Sequence, residues 1–269
     1  MLTYDKELPW QNYARLTVIT NDLDPVYVAL AKSGWEEEKI MRWCAAFIAF
    51  YHTGTACEAA DLQGDEFWNF LWDRYDNNPR GSERRHFRGE AGKKALKAWR
   101  DTYSTPEKFL LACMKPSFMQ TLKAGIPQIG TYFTWKVCDF REAVFGYDMD
   151  WSGAEHNMLA TATNGLELLF PKEPYHESVF KLLEAIDDLY APPRFDRKCG
   201  LAEAETVACG VRQYYTRGVP IGEDIVAKRT SLGNSDNAKH LSTKFPKEPT
   251  EQNLDAILSA APHLQVEAA

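Results

Sequence analysis

The sequence has no long apolar run and few segments that are typical of a β-strand. Every apolar segment is shorter than the roughly 20 residues that a helix needs to cross a bilayer. The N-terminal segment MLTYDKELPW has neither the basic nor the apolar part of a signal peptide. Only ARLTVIT, at residues 14–20, has the composition of a strand, whereas most other segments have helical spacing and helix-capping residues. We therefore expect an all-α protein that is soluble and cytoplasmic.

Cysteine pairs with the spacing of metal ligands are also missing. The chain has no CxxC pair, and its six cysteines are Cys44, Cys57, Cys113, Cys138, Cys199 and Cys209. Several of them fall on apolar faces of predicted helices, which is typical of reduced core thiols in a cytoplasmic protein. We therefore expect no cysteine-held metal and no bound cofactor.

Positive charge is concentrated in one region. The net charge of −7 argues mildly against a nucleic acid as partner, because proteins that bind polyanions usually have a basic field. Eight basic and two acidic residues between Arg80 and Arg100 nevertheless give this region a charge of +6 and leave −13 for the rest. We interpret the region as a focused anion site on an acidic protein.

Three arginines of this region lie in a polar, glycine-bounded loop. A run of charges is most often a solvated helix face, but Arg84, Arg85 and Arg88 have no acids interleaved between them. The planar fork of a guanidinium group suits phosphate oxygens. We predict that these arginines contact a phosphate.

The segment Tyr51–Thr55 is a polar break between two apolar helices. One interpretation is that the side chains of Tyr51, His52 and Thr55 line a cleft. The alternative is that a helix C-cap is followed here by a threonine N-cap. The residues alone leave both interpretations open.

The stretch from Lys123 to Trp151 is the one around which we organise the chain. Its turn, Gly125–Gly130, follows an apolar helical segment and leads into an amphipathic helix and then an acidic cluster. Backbone N–H groups at such a turn and at the following helix start are free to face an anion. The order predicts helix, tight turn, helix and acidic loop, with a phosphate site at the turn.

Polar side chains of this stretch and of a later helix are candidate functional groups. The second helix of the stretch carries Lys136 and Asp139, and the acidic cluster is Asp148 and Asp150. The later helix, predicted at residues 201–217, places Glu205, Cys209 and Arg212 on one side at i, i+4 and i+7. We predict one helical domain at residues 1–229 and a polar tail at 230–269 with one weak helix at 250–260.

The turn resembles a known DNA-binding motif. Pro127-Gln128-Ile129-Gly130, followed by Thr131, Thr134 and Val137, is similar to the helix-hairpin-helix of the DNA base-excision glycosylase superfamily, which has the form L-P-G-[IV]-G. The resemblance implies that Gln128, Gly130 and Thr131 contact DNA phosphate. It also implies a glycosylase-like helical fold of two closely packed lobes with a cleft between them.

The same superfamily has an essential aspartate about twenty residues after the second hairpin glycine, and the distance from Gly130 to Asp150 is twenty residues. Two positions depart from its pattern. Gln128 replaces the first hairpin glycine, and Tyr132 occupies the position of the Schiff-base lysine of bifunctional members. The iron–sulfur cysteine cluster of some members is absent as well. We therefore expect no lyase mechanism.

A narrower resemblance spans roughly residues 35–225. The blocks FYHTGTACEAADL, RRHFRG, IGTYFTWKVCDFREAVFG and AETVACGVRQYYTRG are similar to those of the phage α-glutamyl/putrescinyl thymine pyrophosphorylases, or amino acid:DNA transferases. The resemblance implies an enzyme of the host cell cytoplasm that acts after a kinase. The kinase builds a pyrophosphate ester on 5-hydroxymethyluracil in DNA, and this enzyme then expels pyrophosphate and joins an amine to the base methylene.

The resemblance gives each candidate residue a role. Asp150 is the first choice for the carboxylate that takes the amine's proton, with Glu205 or His52 as second choices. Arg84, Arg85, Arg88 and Lys136 would stabilise the departing pyrophosphate, with Asp139 beside Lys136. Arg212 would bind an amino acid's carboxylate, with Tyr51 and Thr55 near the same substrate. Base flipping would give access to the target.

Each of these roles has a structural alternative. Asp150 would cap the next helix, Lys136 and Asp139 would form a surface pair, and Glu205 with Arg212 would bridge helices. Two other functions also remain open, namely a monofunctional DNA glycosylase and a non-catalytic DNA-binding module that accompanies the kinase. The expected partners are double-stranded DNA with a modified thymine and a free amino acid or polyamine, with no membrane and a monomeric enzyme. The amine and a need for a divalent metal are left open.

Overall fold

The structure is a computed structural model, which describes residues 8–77 and 89–259 of the 269-residue chain. In these two ranges the chain forms fifteen α-helices and no β-strand, which confirms the prediction of an all-α protein. In chain order the helices are α1 Trp10–Ile19, α2 Pro25–Ala31, α3 Glu37–Phe50, α4 Thr53–Ala59, α5 Gly64–Asp73, α6 Gly89–Tyr103, α7 Pro106–Cys113, α8 Phe118–Leu122, α9 Thr131–Asp139, α10 Ala160–Leu169, α11 Tyr175–Leu183, α12 Leu201–Arg217, α13 Glu223–Thr230, α14 Asp236–Ser242 and α15 Leu254–Ser259.

The helices belong to two compact units. The first unit contains the described residues of 1–31, 151–227 and 245–269, and the second contains those of 32–150 and 228–244. Each unit is therefore built from segments that are far apart in the sequence. The glycosylase-like fold and the division at residue 229 stay predictions.

The first unit is centred on α12, which packs against α10, α11 and α1. A Cβ atom at Gly165 of α10 would overlap the backbone carbonyl oxygen of Ala208 in α12, so the glycine permits a close approach of the two helices. On another side of α12, the rings of Tyr13 and Tyr214 are 4.5 Å apart between centroids. Backbone and aromatic contacts together make α12 the core of this unit.

The strand-like segment at residues 14–20 is helical, so its interpretation as a strand is wrong. It lies mostly in α1, where Ala14, Thr17 and Val18 are buried at helical spacing. The hydroxyl of Thr17 donates to the carbonyl of Tyr13 over 2.8 Å, and that of Thr20 donates to Leu16 over 2.8 Å. Burial of one helical face and satisfied hydroxyl groups outweigh the β preference of these side chains.

The second unit is organised around α3, which is nearly all buried and packs against α4 and α7. The indole of Trp99 in α6 stacks on Phe109 of α7, with the centroids 4.3 Å apart. Arg42 of α3 is also buried, where it donates to the carbonyl of Ala60 over 2.8 Å and pairs with Glu107 over 2.7 Å. The unit thus has a mixed aromatic and ionic core that fixes the positions of α3, α6 and α7.

The polar C-terminal region contains more structure than the weak helix predicted at 250–260. That helix is present as α15, and it is preceded by α14, which was not predicted. Ala238 and Leu241 of α14 are buried, and the Nδ2 of Asn237 donates to the carbonyl of Cys57 over 3.0 Å. Across the described residues, no helix has both the length and the apolarity needed to cross a membrane.

Candidate functional site

The turn between α8 and α9 has the order that the sequence predicted, namely helix, tight turn, helix. The backbone N–H of Ile129 donates to the carbonyl of Ile126 over 3.0 Å, and Gly130 caps α9 by accepting from Thr134 over 2.9 Å. Gln128, which replaces the hairpin glycine, has a left-handed φ of 64°. The turn is therefore tight even though a side chain is present at this position. Trp99 fastens it to α6, because its Nε1 donates to the carbonyl of Pro127 over 2.9 Å.

An open depression of about 470 Å³ lies on this turn. Its lining residues are Ile126, Gln128, Ile129, Gly130, Thr131 and Tyr132. The first N–H groups of α9 belong to the same residues, and the start of a helix leaves such groups without partners inside the helix. The three residues predicted to contact phosphate, Gln128, Gly130 and Thr131, therefore share one depression, and their role stays a prediction.

Tyr132 links this depression to the segment at Tyr51. The two rings meet edge to face, with centroids 5.7 Å apart and an angle of 71°. Tyr51 is the C-cap of α3 and has a left-handed φ of 50°, which is uncommon for a bulky side chain. The half-buried Tyr51 is thus held next to the turn.

His52, and not a threonine, caps α4. Its Nδ1 accepts from the backbone N–H of Thr55 over 3.1 Å and lies 3.1 Å from the Thr55 hydroxyl. Burial lowers the pKa of His52 from its ordinary value, and the nearby charge of Lys228 lowers it further, against an opposing effect of Glu58. The neutral ring therefore uses Nδ1 as acceptor and carries its proton on Nε2. Two helix caps adjoin here, as the alternative predicted, but the expected threonine cap is wrong, because His52 is the N-cap. The lining of a cleft by Tyr51, His52 and Thr55 stays a prediction.

The end of α13 packs against this segment. The hydroxyl of Thr53 donates to the carbonyl of Lys228 over 3.3 Å and lies 2.5 Å from the Ser231 hydroxyl. The ammonium group of Lys228 lies 4.6 Å from the ring centroid of Tyr51 and 5.8 Å from that of Phe47. A lysine from a distant part of the chain thus stands over the aromatic cluster.

Lys136 and Asp139 form a buried pair, so the alternative of a surface pair is wrong. Their Nζ and Oδ2 atoms are 3.1 Å apart, and only 10% and 8% of the two side chains is exposed. Phe133 and Val137 of the same helix are buried as well, so the pair lies on a helix that is packed into the core. A π-helical turn, Phe140–Val144, follows at once. Such turns are frequent at functional sites.

Asp150 lies on an exposed loop that is fixed through its backbone. Its N–H donates to the carbonyl of Pro116 over 2.9 Å, and its carbonyl accepts from Phe118 over 2.8 Å. Arg141 supports the same loop by donating to the carbonyl of Asp148 over 2.8 Å. The next helical element, a 3₁₀ turn at Ala154–Asn157, has Gly153 as N-cap, so the alternative of Asp150 as its cap is wrong.

Two predicted residues lie in the first unit, on α12. Glu205 is buried, and its Oε1 accepts from the thiol of Cys209 over 3.4 Å, while Arg212 is half-buried. Asp150, His52, Lys136 and the turn all belong to the second unit. The roles of Glu205 and Arg212 stay predictions.

The basic region is described only in part. Arg84, Arg85 and Arg88 lie outside the described residues. In α6, three bases of the same region pair with acids, namely Lys93 with Asp76, Lys97 with Asp101 and Arg100 with Asp65.

The cysteines are free thiols, as predicted, and all but the half-buried Cys209 are buried. Burial raises the pKa of Cys57 to about 12 and that of Cys44 well above its ordinary value, so both are inert thiols. Within residues 8–77 and 89–259, no three His, Cys, Asp or Glu side chains are arranged to hold a metal. The absence of a cofactor stays a prediction.

Comparison with known proteins identifies the family. No family model matches the chain. It is 32% identical over 256 residues to a putrescinyltransferase of Delftia phage PhiW-14, across 88% of this chain and 83% of that protein. It is 26% identical over 266 residues to a glycinyltransferase of Pseudomonas phage PaMx11, across 81% of this chain and 91% of that protein. The chain belongs to this family of phage transferases.

Membership of this transferase family confirms the narrower resemblance seen in the sequence. The names of the two relatives differ in the transferred group, so the family includes more than one such group. Sequence reasoning missed Lys228 and the contact of Tyr132 with Tyr51, because both depend on packing between distant segments. The indication in the sequence was that Tyr132 occupies the position at which bifunctional members of the resembled glycosylase superfamily have lysine.

Proposed function

We propose that this protein is a DNA-modifying transferase. It displaces pyrophosphate from 5-pyrophosphoryloxymethyluracil in DNA and joins an amine or an amino acid to the methylene group of the base. The observation that carries the proposal is the similarity to a putrescinyltransferase over 88% of the chain. DNA as the acceptor and pyrophosphate as the leaving group come from the sequence resemblance, and the depression on the turn supports them.

The reaction is a substitution at the methylene carbon. The lone pair of a neutral amine nitrogen forms a C–N bond, while the C–O bond breaks and pyrophosphate leaves with the bonding electrons. The new ammonium nitrogen then gives one proton to a base. The enzyme therefore needs a proton acceptor, a stabiliser of the leaving group and a site for DNA.

Asp150 has the strongest support as proton acceptor. It is exposed, and backbone hydrogen bonds on both sides hold its loop against the start of α8. His52 is a weaker candidate because its Nδ1 already accepts from Thr55. Glu205 is weaker too, because it is buried beside Cys209. A positioned general base contributes about 100- to 10,000-fold to a rate.

DNA phosphate would bind at the depression formed by the turn. The start of α9 supplies backbone N–H groups, and Gln128 and Thr131 add side-chain donors beside them. A phosphate held there would anchor the strand next to a flipped base. Arg84, Arg85 and Arg88 keep their proposed role as contacts of pyrophosphate, and Arg212 keeps its role toward an amino acid's carboxylate.

A direct assay tests the proposal. Duplex DNA containing the pyrophosphorylated base is incubated with the protein, putrescine and mixed amino acids, and its nucleosides are then analysed by mass spectrometry. We expect a nucleoside heavier by the joined amine and one pyrophosphate released for each adduct. Abasic sites without an adduct would instead show a DNA glycosylase, and unchanged DNA would support a non-catalytic binding module.

A further inference from the structure

We propose that Lys228 binds the pyrophosphate group of the target base, in a subsite whose wall is the ring pair Tyr51 and Tyr132. The inference rests on the proposed function and deepens it, since it names the part of the substrate that meets this cluster. Lys228 has no role in the sequence-based assignment, and neither ring has one toward pyrophosphate.

The two rings connect the depression on the turn with Lys228. Tyr132 lines the depression at the start of α9 and also meets Tyr51 edge to face at 5.7 Å. Lys228 stands over the other ring of this pair, 4.6 Å from the centroid of Tyr51. The depression, the two rings and the ammonium group therefore follow one another within the second unit.

The charge of Lys228 also suits an anion. Among the residues that the structure describes, no carboxylate is within ion-pair distance of the Lys228 ammonium group, whereas Lys136 is paired with Asp139. A ring face holds a cation without neutralising it. The charge of Lys228 is also felt nearby, because it helps to lower the pKa of His52. A half-buried and unneutralised ammonium group interacts strongly with an incoming anion.

The backbone around Lys228 and Tyr51 is held by close contacts. The backbone of Lys228 accepts from Thr53 and from the Ser231 hydroxyl, over 3.3 Å and 2.9 Å. Gly54 fits against the same segment so closely that a Cβ atom there would be 2.8 Å from the carbonyl oxygen of Ser231. Tyr51 keeps its left-handed φ of 50°. Such conformations persist where the surroundings fix them, often at ligand sites.

This geometry suits the leaving group. When the C–O bond breaks, the electron pair goes to the pyrophosphate oxygen and its negative charge increases. An ammonium group has three donors and acts as a point charge toward phosphate oxygens. Lys228 therefore binds the pyrophosphate before the reaction and stabilises it as it leaves, without giving up a proton.

Binding measurements with two DNA duplexes test the subsite. One duplex carries the pyrophosphorylated base, and the other carries 5-hydroxymethyluracil at the same position. We expect the protein to prefer the first and Lys228→Met to lose that preference by about ten- to hundredfold, because a hydrogen bond to a charged group is removed. Lys228→Arg keeps most of the preference and shows that the site folds.

Lys239→Met is the matched control. Lys239 is an exposed lysine of the same unit and pairs with Asp236, so its replacement changes the net charge equally. We expect it to keep the full preference for the pyrophosphorylated duplex. Equal behaviour of Lys228→Met and Lys239→Met would overturn the inference.

A kinetic measurement shows whether Lys228 binds pyrophosphate or the carboxylate of an amino acid substrate. Lys228→Met should reduce kcat and the DNA preference, with the KM unchanged for the amine or amino acid that the direct assay identifies. A raised KM for an amino acid with an intact DNA preference would assign Lys228 to the carboxylate and overturn the proposal. If the unaltered protein prefers the pyrophosphorylated duplex but forms no adduct, the proposed function fails and the subsite stands. Normal turnover by Lys228→Met would overturn the proposed subsite but would leave the proposed function intact.

Discussion

The turn Gly125–Gly130 and the cluster of Lys228 with Tyr51 and Thr53 belong to one unit, but they are specified in different ways. The turn is formed by contiguous residues, and its backbone hydrogen bonds join residues three or four positions apart. The cluster joins segments such as Thr53 and Ser231, which are 178 positions apart. The first can be found by reading along the chain, whereas the second exists only after the unit has folded. Local and assembled parts of a site should therefore respond differently to substitution.

The largest effect is expected from the acidic loop that follows the turn. Asp150→Asn removes the proton acceptor but keeps the backbone hydrogen bonds to Pro116 and Phe118, so we expect kcat to fall about 100- to 10,000-fold. DNA binding should be retained or improved, because one negative charge is lost. Single-turnover adduct formation and fluorescence titration with DNA measure the two effects.

Asp148→Asn is the matched control for this prediction. Asp148 is exposed in the same loop and carries the same charge, while its contact with Arg141 uses only its backbone carbonyl. We expect turnover within about twofold of the unaltered protein, since surface substitutions of this kind are nearly neutral. A similar loss in both variants would mean that the charge of the loop matters, and not a single base at Asp150.

The next largest effect concerns the buried pair of α9. Lys136→Met removes the ion-pair partner of the buried Asp139, so we expect the free energy of unfolding to fall by about 3–5 kcal/mol. The double variant Lys136→Met with Asp139→Leu should recover much of that loss. Urea unfolding measures both. A Lys136→Met variant that is fully stable but inactive would contradict the structural interpretation. It would instead support the prediction that Lys136 stabilises the leaving group.

Some features of the fold and of the candidate site depend on local sequence, whereas others depend on tertiary packing. The order of α8, turn, α9 and acidic loop could be predicted because its turn residues and spacing are local. The strand interpretation of residues 14–20 failed, because burial of one helical face decides such a segment. His52 was unexpected as a cap because serine, threonine, aspartate and asparagine are preferred there. Lys228 could not be predicted, because only tertiary packing brings it to Tyr51.

Two glycines allow a direct comparison of the local and assembled parts. Gly54→Ala places a Cβ atom 2.8 Å from the Ser231 carbonyl oxygen, so the 228–232 segment must move, at a cost of about 1–3 kcal/mol. Gly125→Ala has open space but a φ of 69°, which costs about 1–2 kcal/mol. Thermal unfolding compares these costs. Only Gly54→Ala should also reduce the preference for the pyrophosphorylated duplex, and equal loss in both would remove the distinction.

The smallest expected effect is a pH dependence of stability that comes from His52, which lies near Lys228. Burial, with help from Lys228, holds the pKa of His52 below its ordinary value of 6.5, so the folded protein takes up this proton less readily than the unfolded chain. The contribution of His52 to stability should therefore fall as the pH drops from 6.5 through the lowered pKa, and this contribution should change no further below that. His52→Asn keeps a capping acceptor for Thr55 but does not titrate, so it should lack this slope in urea unfolding between about pH 8 and pH 5. Lys228→Met should make the slope shallower, because it removes one of the two causes. An unchanged slope in Lys228→Met would mean that the ammonium group lies too far from His52 for the two segments to act as one site.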